Sequence, residues 1–341
     1  MEHKTRIKGN VHYVGVNDRN KHRFEGMWPL PYGVSYNSYL IDDEMVALVD
    51  TVDICYFEVY LRKIKQVIGE RPINYLIINH MEPDHSGSIR LIKQHYPEII
   101  IVGNKQTFGM IEGFYGVTGE QYLVKEGDFL ALGHHKLRFY MTPMVHWPET
   151  MMTFDETDGV LFSGDGFGCF GTVDGGFLDT RINVDKYWGE MVRYYSNIVG
   201  KYGSPVQKAL QKLGGLPISA ICSTHGPVWT ENIAKVIGIY DRLSRYDADE
   251  GVVIAYGSMY GNTEQMAEAI AEELSAQGVK NIVMHNVTKS HPSYIIADIF
   301  RYKGLIIGSP TYSNQIFPEV EALLSKILLR EVKGRLSLIH I

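Results

Sequence analysis

The sequence predicts an α/β protein of two domains: a sandwich of two β-sheets with helices outside, followed by a doubly wound parallel sheet. Three observations predict this fold class. The chain has 341 residues, enough for about two domains. Up to about residue 248, strands, hairpins and helices follow one another in the order of a two-sheet sandwich. After the polar stretch "DADEG", residues 247–251, strands and helices alternate, which is typical of a parallel sheet.

The elements of the first domain are read from apolar runs and turn residues. Strands are expected within residues 34–41, 45–51, 74–80, 98–104, 129–143, 150–165 and 218–227, where 129–143 and 150–165 read as hairpins with Gly-His and Thr-Asp-Gly turns. Helices are expected within residues 88–96, 184–202, 206–215 and 231–246, from their apolar periodicity. The short run "YLII" in the third strand stretch is of the fully buried kind.

The second domain reads as a βαβαβ series. Residues 252–278 and 304–329 each contain a strand, a loop and a helix, and a further strand is expected at 281–287. We place the domains at residues 1–249 and 250–335. The ending "LSLIHI", residues 336–341, is interpreted as a non-native tail and excluded from the fold. Three strands then remain, and the expected sheet has an unpaired apolar edge.

Composition and charge exclude several function classes. Hydrophobic residues make up 45% and charged residues 21% of the chain, as in a globular protein, and the net charge of −6 argues against a nucleic-acid partner. The start has no signal-peptide core and no segment has the length of a membrane span, which favours a cytoplasmic protein. Cys55, Cys169 and Cys222 form no CxxC pair, so no rubredoxin or zinc ribbon is expected in these residues, and each is expected to be buried.

Four potential metal ligands follow directly on the third buried strand. The stretch "NHMEPDHSGS", residues 79–88, contains His80, Glu82, Asp84 and His85. Strand alternation sends the first three of these side chains roughly the same way, and the fourth opens the next turn. Taken alone, the stretch could be a solvated loop.

Three further candidates stand where other apolar strands end: His146, Asp165 and His225. A single histidine after a strand is usually an ordinary hydrogen-bonded residue, and an aspartate between glycines is ordinarily a turn residue. All seven metal-competent side chains fall at strand ends, however, and the set therefore favours a shared metal site. His134 and His135 stand at a hairpin turn and are expected to face solvent.

The order H-x-E-x-D-H, then H, D and H, resembles that of the flavodiiron proteins, whose first domain has the metallo-β-lactamase fold. The resemblance implies a metallo-β-lactamase-like αββα sandwich with one iron held by His80, Glu82 and His146, the other by Asp84, His85 and His225, and Asp165 as the bridge. Hydrolases of that fold carry a second histidine where this chain has Glu82. A carboxylate makes the site harder and more anionic, which suits iron. A bridging carboxylate holds two metals about 3.5–4 Å apart.

The stretch "YGSMYGNTE", residues 256–264, joins a predicted strand to a helix without the lysine of a nucleotide-binding P-loop. Hydroxyls, an amide and backbone N–H groups at a helix N-terminus can bind a phosphate monoester. The stretch resembles the phosphate loop of flavodoxins, which bind FMN; alone it could be an ordinary turn. With the second loop, which follows the next strand, the expected FMN contacts are Ser258, Met259, Tyr260, Gly261, Asn262, Thr263, Ser309, Pro310, Thr311, Tyr312 and Asn314. The resemblance also implies that a five-stranded flavodoxin-like sheet is truncated here, and FMN binding by this chain is therefore expected to be poor or absent.

The two resemblances imply an FMN- and diiron-dependent reductase of O₂ to water, of NO to N₂O, or of both. Electrons would come from a rubredoxin or similar carrier, which is expected to be a separate protein since the chain has no CxxC pair. The family works as head-to-tail homodimers. One alternative is a metal-dependent hydrolase with an accessory flavodoxin-like module, against which Glu82 and the flavin loop argue. Another is a flavin-binding electron carrier with a structural metal site, against which the open coordination positions of seven ligands argue.

Overall fold

The structure, a computed structural model, describes the backbone of residues 5–340 and the side chains of residues 5–335. It divides into two compact units, Met1–Met191 with Pro205–Gly238 and Val192–Ser204 with Ile239–Ile341. Residues 192–204 and 239–249 thus belong to the same compact unit as the C-terminal sheet, whereas the domain boundaries at 249/250 and 335/336 stay predictions. Among the described residues, no helix combines the length and apolar character that a membrane crossing needs.

Within its described residues, the first unit contains sixteen strands, most of them short. They are β1 (Arg6–Lys8), β2 (Val11–Tyr13), β3 (Val16–Asp18), β4 (Arg23–Phe24), β5 (Trp28–Pro29), β6 (Val34–Tyr36), β7 (Tyr39–Ile41), β8 (Ala47–Val49), β9 (Tyr75–Ile77), β10 (Ile100–Gly103), β11 (Gln121–Leu123), β12 (Phe129–Ala131), β13 (Lys136–Met141), β14 (Met151–Asp155), β15 (Val160–Gly164) and β16 (Ala220–Ser223). The predicted strand stretches all contain one or two of these, whereas β1 to β5 and β11 were not predicted.

The helices up to residue 244 lie between these strands or follow them. They are α1 (Phe57–Ile68), α2 (Pro83–Ser86), α3 (Ile89–His95), α4 (Lys105–Tyr115), α5 (Asp185–Tyr194), α6 (Gly203–Leu213) and α7 (Ile233–Ser244). The helix predicted at 184–202 begins as α5 and continues as a π-helical turn, Tyr195–Val199, and a 3₁₀ turn, Gly200–Tyr202. The sequence did not predict α1 and α4, nor α2, which lies in the stretch expected to be a ligand-rich loop.

Two sheets form the sandwich of the first unit. The seven-stranded sheet has the order β1-β2-β7-β8-β9-β10-β11, and the five-stranded sheet has the order β12-β13-β14-β15-β16. Strands β8 to β11 run parallel, and so do β15 and β16. Tyr39 of the first sheet meets Phe162 of the second with ring centroids 5.5 Å apart. Their cluster, which includes Ile77 and Phe139, forms the buried core between the layers. The predicted αββα sandwich is confirmed.

The second unit contains a parallel sheet of the order β18-β17-β19-β22 with helices on both faces. Its elements are β17 (Asp249–Tyr256), α8 (Asn262–Ala276), β18 (Ile282–Asn286), α9 (Pro292–Arg301), β19 (Tyr302–Gly308), β20 (Thr311–Tyr312), β21 (Gln315–Ile316), α10 (Pro318–Leu329) and β22 (Leu336–His340). Val253 and Ala255 pack in one cluster with residues of α9 and α10, while Ile254 and Tyr256 pack with residues of α8. Alternate residues of one strand thus face opposite layers, and the doubly wound arrangement is confirmed.

The C-terminal residues differ from the expectation that they lie outside the fold. Leu336–His340 forms a fourth parallel strand, paired with Gly304–Gly308 of β19. The reason is that an apolar strand edge left open at β19 is a template for the next extended apolar segment of the chain. Residue 341 lies outside the described residues, and the non-native origin of the tail stays a prediction.

The three cysteines do not all follow the expectation of burial. Cys169 and Cys222 are buried, but Cys55 is exposed. Cys55 lies in a 3₁₀ turn, Ile54–Tyr56, where Asp53 accepts a hydrogen bond from its backbone N–H. The turn holds this side chain away from the buried core. A rule based on the average burial of cysteine cannot detect such a local turn.

Candidate metal centre and cofactor loops

The loop after β9 carries four of the seven candidate ligands, and buried hydrogen bonds hold it. Asp50, just after β8, accepts hydrogen bonds from the backbone N–H of Asn79 at 2.8 Å and from its side-chain amide at 3.1 Å. Pro83 then begins the one-turn helix α2, where its missing N–H costs nothing. The carbonyl of His85 accepts from the backbone N–H and the hydroxyl of Thr51, at 2.8 and 2.7 Å. Parallel strands β8 and β9 thus fix the loop at their carboxyl ends.

The other three candidates arrive from the second sheet. His146 lies between β13 and β14, Asp165 follows β15, and His225 follows β16. Since β15 and β16 are parallel, the last two side chains emerge at the same sheet edge. All seven candidate ligands are buried, in spite of their polarity. Burial of so many ionisable groups requires that they neutralise one another or bind cations.

The first cluster comprises His80, Glu82, His146 and one oxygen of Asp165. Glu82 Oε2 lies 3.4 Å from His80 Nε2 and 3.2 Å from His146 Nε2. Asp165 Oδ2 lies 3.0 Å from His146 Nε2 and 3.5 Å from His80 Nε2. Two imidazole nitrogens and two carboxylate oxygens therefore surround one point.

The second cluster comprises Asp84, His85 and His225. Asp84 Oδ2 lies 3.4 Å from the Nε2 atom of each histidine, and the two Nε2 atoms lie 3.0 Å apart. Two neutral imidazoles can share only one hydrogen bond between these nitrogens. Three atoms with lone pairs at such mutual distances are suited to hold one cation.

Asp165 lies between the two clusters. Its Oδ2 faces His146 at 3.0 Å, and its Oδ1 faces His85 at 3.2 Å and His225 at 3.8 Å. The hydroxyl of Thr224 donates a hydrogen bond to Oδ1 and fixes the carboxylate plane. A carboxylate with one oxygen in each cluster has the geometry of a bridge between two cations.

Buried atoms without hydrogen bonds test whether these residues fit metal ions. Both carboxylate oxygens of Asp84 are buried without a hydrogen-bond partner among the described residues. Burial, and next the charge of Glu82, raise the pKa of Asp84 to about 8. A carboxylate in this position is costly unless a cation lies beside it. The residues therefore fit a dinuclear metal site of histidine and carboxylate ligands.

Sequence reasoning missed Glu149, which lies directly behind the first cluster. Its Oε1 accepts hydrogen bonds from His80 Nδ1 at 2.9 Å and from the backbone N–H of Met81 at 2.8 Å. The only sequence signal is a glutamate three positions after His146, in the loop "HWPET". A carboxylate that supports a ligand histidine has no fixed spacing from that histidine, so the sequence could not single it out.

The expectation that both histidines of the hairpin turn face solvent is wrong for one of them. His134 is exposed, but His135 is buried, and its Nδ1 lies 2.9 Å from Asp155 Oδ2. The cause is the return of the next hairpin, which places β14 beside β13 and brings Asp155 over the turn.

A cavity of about 260 Å³ reaches the carboxylates of both clusters. It is lined by Lys21, Phe24, Glu25, Gly26, Asp53, Glu82, Pro83 and Asp84. A water molecule occupies about 30 Å³ of liquid volume, so the space admits a diatomic molecule and some water. Burial, and next the charge of Glu82, raise the pKa of Glu25, whose carboxylate accepts a hydrogen bond from the indole of Trp28 at 2.9 Å.

The predicted FMN contacts of the second unit lie in two neighbouring loops. Residues 257–261 follow β17, and residues 309–317 follow β19. The two strands are paired in parallel, with Tyr256 opposite Gly308, so both loops leave the same sheet edge. The first loop and the start of α8 contain Ser258, Met259, Tyr260, Gly261, Asn262 and Thr263. The second loop contains Ser309, Pro310, Thr311, Tyr312 and Asn314. This edge is where open α/β sheets bind ligands.

The start of α8 fits a phosphate group. Its N-cap is Gly261, and no side chain caps the helix, so its first N–H groups remain available to a ligand. Gly261 has a φ of 89°, and a Cβ atom there would meet nothing within 4 Å, which leaves open space above the loop. Ser258 Oγ accepts a hydrogen bond from the Gly261 N–H at 3.1 Å and holds the turn. An anion is favoured at such a helix N-terminus.

Comparisons with known proteins match both units. A family model described as "ODP family beta lactamase" matches residues 34–226, and a model of flavodoxin matches residues 254–337. Among solved structures, rubredoxin oxygen:oxidoreductase from Desulfovibrio gigas is similar, with a TM-score of 0.94, 30% identity, and coverage of 98% of this chain and 84% of that chain. The flavodiiron protein from Giardia intestinalis has a TM-score of 0.93 and 28% identity over 97% of this chain and 81% of its own.

Curated relatives match this chain across both units, over most of its length. The anaerobic nitric oxide reductase flavorubredoxin of Vibrio vulnificus (strain YJ016) is 33% identical over 327 residues, which are 94% of this chain and 66% of the relative. The protein of the same name from Escherichia coli O6:K15:H31 (strain 536) is 32% identical over 94% of this chain and 68% of its own length. The chain thus spans about two thirds of the length of these relatives.

Proposed function

The chain belongs to the flavodiiron protein family, and from this premise we propose that it is a reductase of O₂, of NO, or of both. The cofactors are FMN and a pair of non-haem irons, and a rubredoxin-type carrier supplies the electrons. The observation that carries the proposal is the position of Asp165, with one carboxylate oxygen in each of two ligand clusters. The names of similar proteins, a nitric oxide reductase and a rubredoxin oxygen:oxidoreductase, support the two substrates.

One iron would be held by His80, Glu82 and His146, and the other by Asp84, His85 and His225. Asp165 would bind both irons. When bound, the iron pair supplies an electron-rich site for a diatomic ligand, and FMN supplies electrons one at a time. Glu82 contributes an anionic oxygen where hydrolases of this fold use a neutral imidazole. The additional negative charge stabilises the higher oxidation state of the metal and disfavours a zinc hydrolase.

The protein surrounding the clusters restricts what reaches them. Phe24 packs edge-on against His225 with centroids 5.2 Å apart, and Trp147 packs edge-on against His80 at 5.3 Å. These rings exclude water from the histidines and leave the 260 Å³ cavity as an entry beside the carboxylates. Glu25 in that cavity has a raised pKa and is suited to hold a proton near the site of reduction. Both proposed reductions consume protons, so a proton held there is of use.

The loops after β17 and β19 would hold FMN, with the phosphate at the start of α8 and the ring beside the second loop. Tyr260 is 89% exposed and Tyr312 is 50% exposed, so aromatic surface stands available beside that site. Proposals that come with the family are a head-to-tail homodimer and a cytoplasmic location.

The test is a reconstitution of the chain with FMN and ferrous iron under argon, followed by addition of O₂ or NO in the presence of reduced rubredoxin. We expect consumption of at least one gas, two irons per chain, and no turnover by Asp165→Ala even though its FMN is still reduced. His134→Ala, at an exposed histidine outside the clusters, is the matched control and should retain full activity.

The metal-dependent hydrolase remains the second candidate class, and the same preparation distinguishes it. A protein that binds two zinc ions in preference to iron, and that consumes neither gas when FMN and iron are loaded, would contradict the reductase. Full gas consumption by Asp165→Ala would instead show that the dinuclear site is not the reaction centre.

A further inference from the structure

In the two ligand clusters, the histidine Nδ1 atoms, which point away from the ligand atoms, have different partners. In the first cluster, His80 Nδ1 lies 2.9 Å from Glu149 Oε1, within a buried pair. In the second cluster, His225 Nδ1 lies 2.8 Å from the carbonyl oxygen of Ser35, and His85 Nδ1 is buried without a hydrogen-bond partner among the described residues. The Nδ1 atom of His80 therefore faces a carboxylate, whereas the Nδ1 atom of His225 faces a neutral carbonyl.

Glu149 is held firmly in this position. Its Oε1 also accepts the backbone N–H of Met81 at 2.8 Å, and its own backbone carbonyl accepts from the side-chain amide of Asn104. The residue is only 1% exposed, and its second oxygen, Oε2, is buried with no hydrogen-bond partner in the part of the chain that the structure describes. A buried carboxylate with half of its hydrogen-bonding capacity unused keeps much of its negative charge for the nearest positive group.

We propose that Glu149 is a positioning residue that makes the His80 cluster the tighter of the two metal sites, and hence the first to be loaded. The inference deepens the proposed function and rests on it for the dinuclear site. Two physical effects combine. The carboxylate holds one proton of His80 on Nδ1, so Nε2 is the nitrogen that faces the cluster and offers its lone pair to a cation. The same negative charge makes the imidazole a stronger electron donor.

The charge count of the two clusters supports the same order. Each cluster contains one carboxylate of its own, Glu82 or Asp84, and shares Asp165. The buried carboxylate of Asp50 acts on His85 and on His80 and so is common to both clusters. By contrast, Glu149 contacts a histidine of the first cluster, at 2.9 Å from His80 Nδ1. Since divalent cations are attracted by each of these charges, the cluster with the additional carboxylate binds the first ion.

The experiment is a titration of the metal-free chain with Zn²⁺ or, under argon, Fe²⁺, in competition with a chromophoric chelator. We expect two steps of different affinity in the native protein. Glu149→Gln keeps the size of the side chain and one acceptor oxygen but removes the charge, and it should weaken the tighter step by about 10–100-fold while leaving the weaker step unchanged. Glu149→Asp, which retains the charge, should restore part of the difference.

Substitution of a ligand in each cluster assigns each titration step to its cluster. His146→Ala should remove the tighter step and His225→Ala the weaker one. Asp179→Asn is the matched control, because Asp179 is also a buried carboxylate, hydrogen-bonded to Thr230 and Asn232 and outside the described metal-competent groups, and it should change neither step. Unfolding of the metal-free variants by urea reports whether a loss of fold accompanies any change.

Equal weakening of both steps by Glu149→Gln, or weakening of the His225 step alone, would overturn the proposal. So would a native protein whose tighter step disappears in His225→Ala. The titration needs neither FMN nor turnover. If the titration shows both metal steps as expected but the loaded protein consumes neither gas, the proposed reductase function is contradicted and the loading order is not. Failure of the proposed function and failure of the loading order are therefore distinguishable.

Discussion

Glu82 is the single residue that distinguishes this site from a hydrolase pattern, and its geometry shows why the exchange matters. Its Oε2 lies 3.2–3.4 Å from the Nε2 atoms of two histidines in the first cluster. An imidazole at this position would leave that cluster with one carboxylate oxygen, from Asp165, where the native site has two. The chemical hardness of the site therefore depends on one side chain.

We predict that Glu82→His shifts the metal preference of the chain from iron towards zinc by about tenfold, because a neutral, softer ligand replaces an oxygen anion. The measurement is the metal content after anaerobic refolding with equal Fe²⁺ and Zn²⁺. Glu112→His, at an exposed glutamate of α4, is the matched control. An iron-to-zinc ratio in Glu82→His equal to that of the native chain would contradict the role given to Glu82.

The contrast between predicted and missed residues has a physical cause. His80, Asp165 and His225 were predictable because ligands at strand ends leave a local signature, an apolar run followed by a metal-competent side chain. Glu149 and Asp155 leave none, because each acts on a histidine that lies far away in sequence, 69 and 20 positions respectively. The His80–Glu149 pair forms only when the two sheets bring their loops together, and the His135–Asp155 pair only when β14 pairs with β13.

At the scale of elements, the paired hairpins of the second sheet contain a buried His135–Asp155 contact that links their turns. Burial lowers the pKa of His135, but the hydrogen bond and charge of Asp155, with smaller contributions from Asp158 and Asp43, outweigh it and raise the pKa above 6.5. The folded state thus binds the histidine proton more tightly than the unfolded state. The stability contributed by the pair is complete below pH 6.5 and is lost as the pH rises through the raised pKa.

We therefore predict that Asp155→Asn lowers the free energy of unfolding more at pH 5.5 than at pH 9, by about 1–3 kcal/mol at the lower pH. Urea unfolding of the metal-free protein at the two pH values measures this. The asparagine variant also loses turn hydrogen bonds at both values, so the informative quantity is the difference between them. His135→Asn removes the same pair and should also lose more stability at pH 5.5 than at pH 9, whereas Asp155→Asn added to that variant should show no further pH-dependent loss. A larger loss at pH 9 would contradict the assignment.

The helix α8 begins without a side-chain cap, so its first turn is the element on which FMN binding should depend. We predict that Thr263→Ala weakens FMN binding by about tenfold or more, since a hydrogen bond to a charged group contributes about 1.5–3 kcal/mol. Quenching of flavin fluorescence during titration measures the affinity. Ser275→Ala, at an exposed serine near the end of the same helix, is the control, and equal affinity of both variants would place the phosphate elsewhere.

The elements that the sequence predicted least well are those whose partners decide their structure. The two-residue strands β4 and β5 pair only with each other, and no periodicity can appear over two residues. The segment 336–340 became a strand because β19 offered it an edge, a property of the sheet and not of the five residues. By contrast, β17 and β19 were predictable because their runs are apolar on both faces, as a sheet covered by helices requires.

At the scale of the whole molecule, the two compact units carry different cofactor sites. All seven candidate metal ligands belong to the unit formed by Met1–Met191 and Pro205–Gly238. The loops proposed for FMN belong to the unit formed by Val192–Ser204 and Ile239–Ile341. Each ligand therefore stabilises the unit that binds it, by an amount set by its concentration relative to its dissociation constant.

We predict that calorimetric unfolding of the chain resolves two transitions that respond to different ligands. At a hundredfold excess over the dissociation constant, a ligand adds about 2.7 kcal/mol, which raises a midpoint by about 5–10 °C for a unit of 150–250 residues and by more for a smaller one. Metal ions should shift one transition and FMN the other. Asp165→Ala should abolish only the metal-dependent shift, and Thr263→Ala should reduce only the FMN-dependent one. A single transition that both ligands raise, and that both variants affect alike, would show that the two units unfold together.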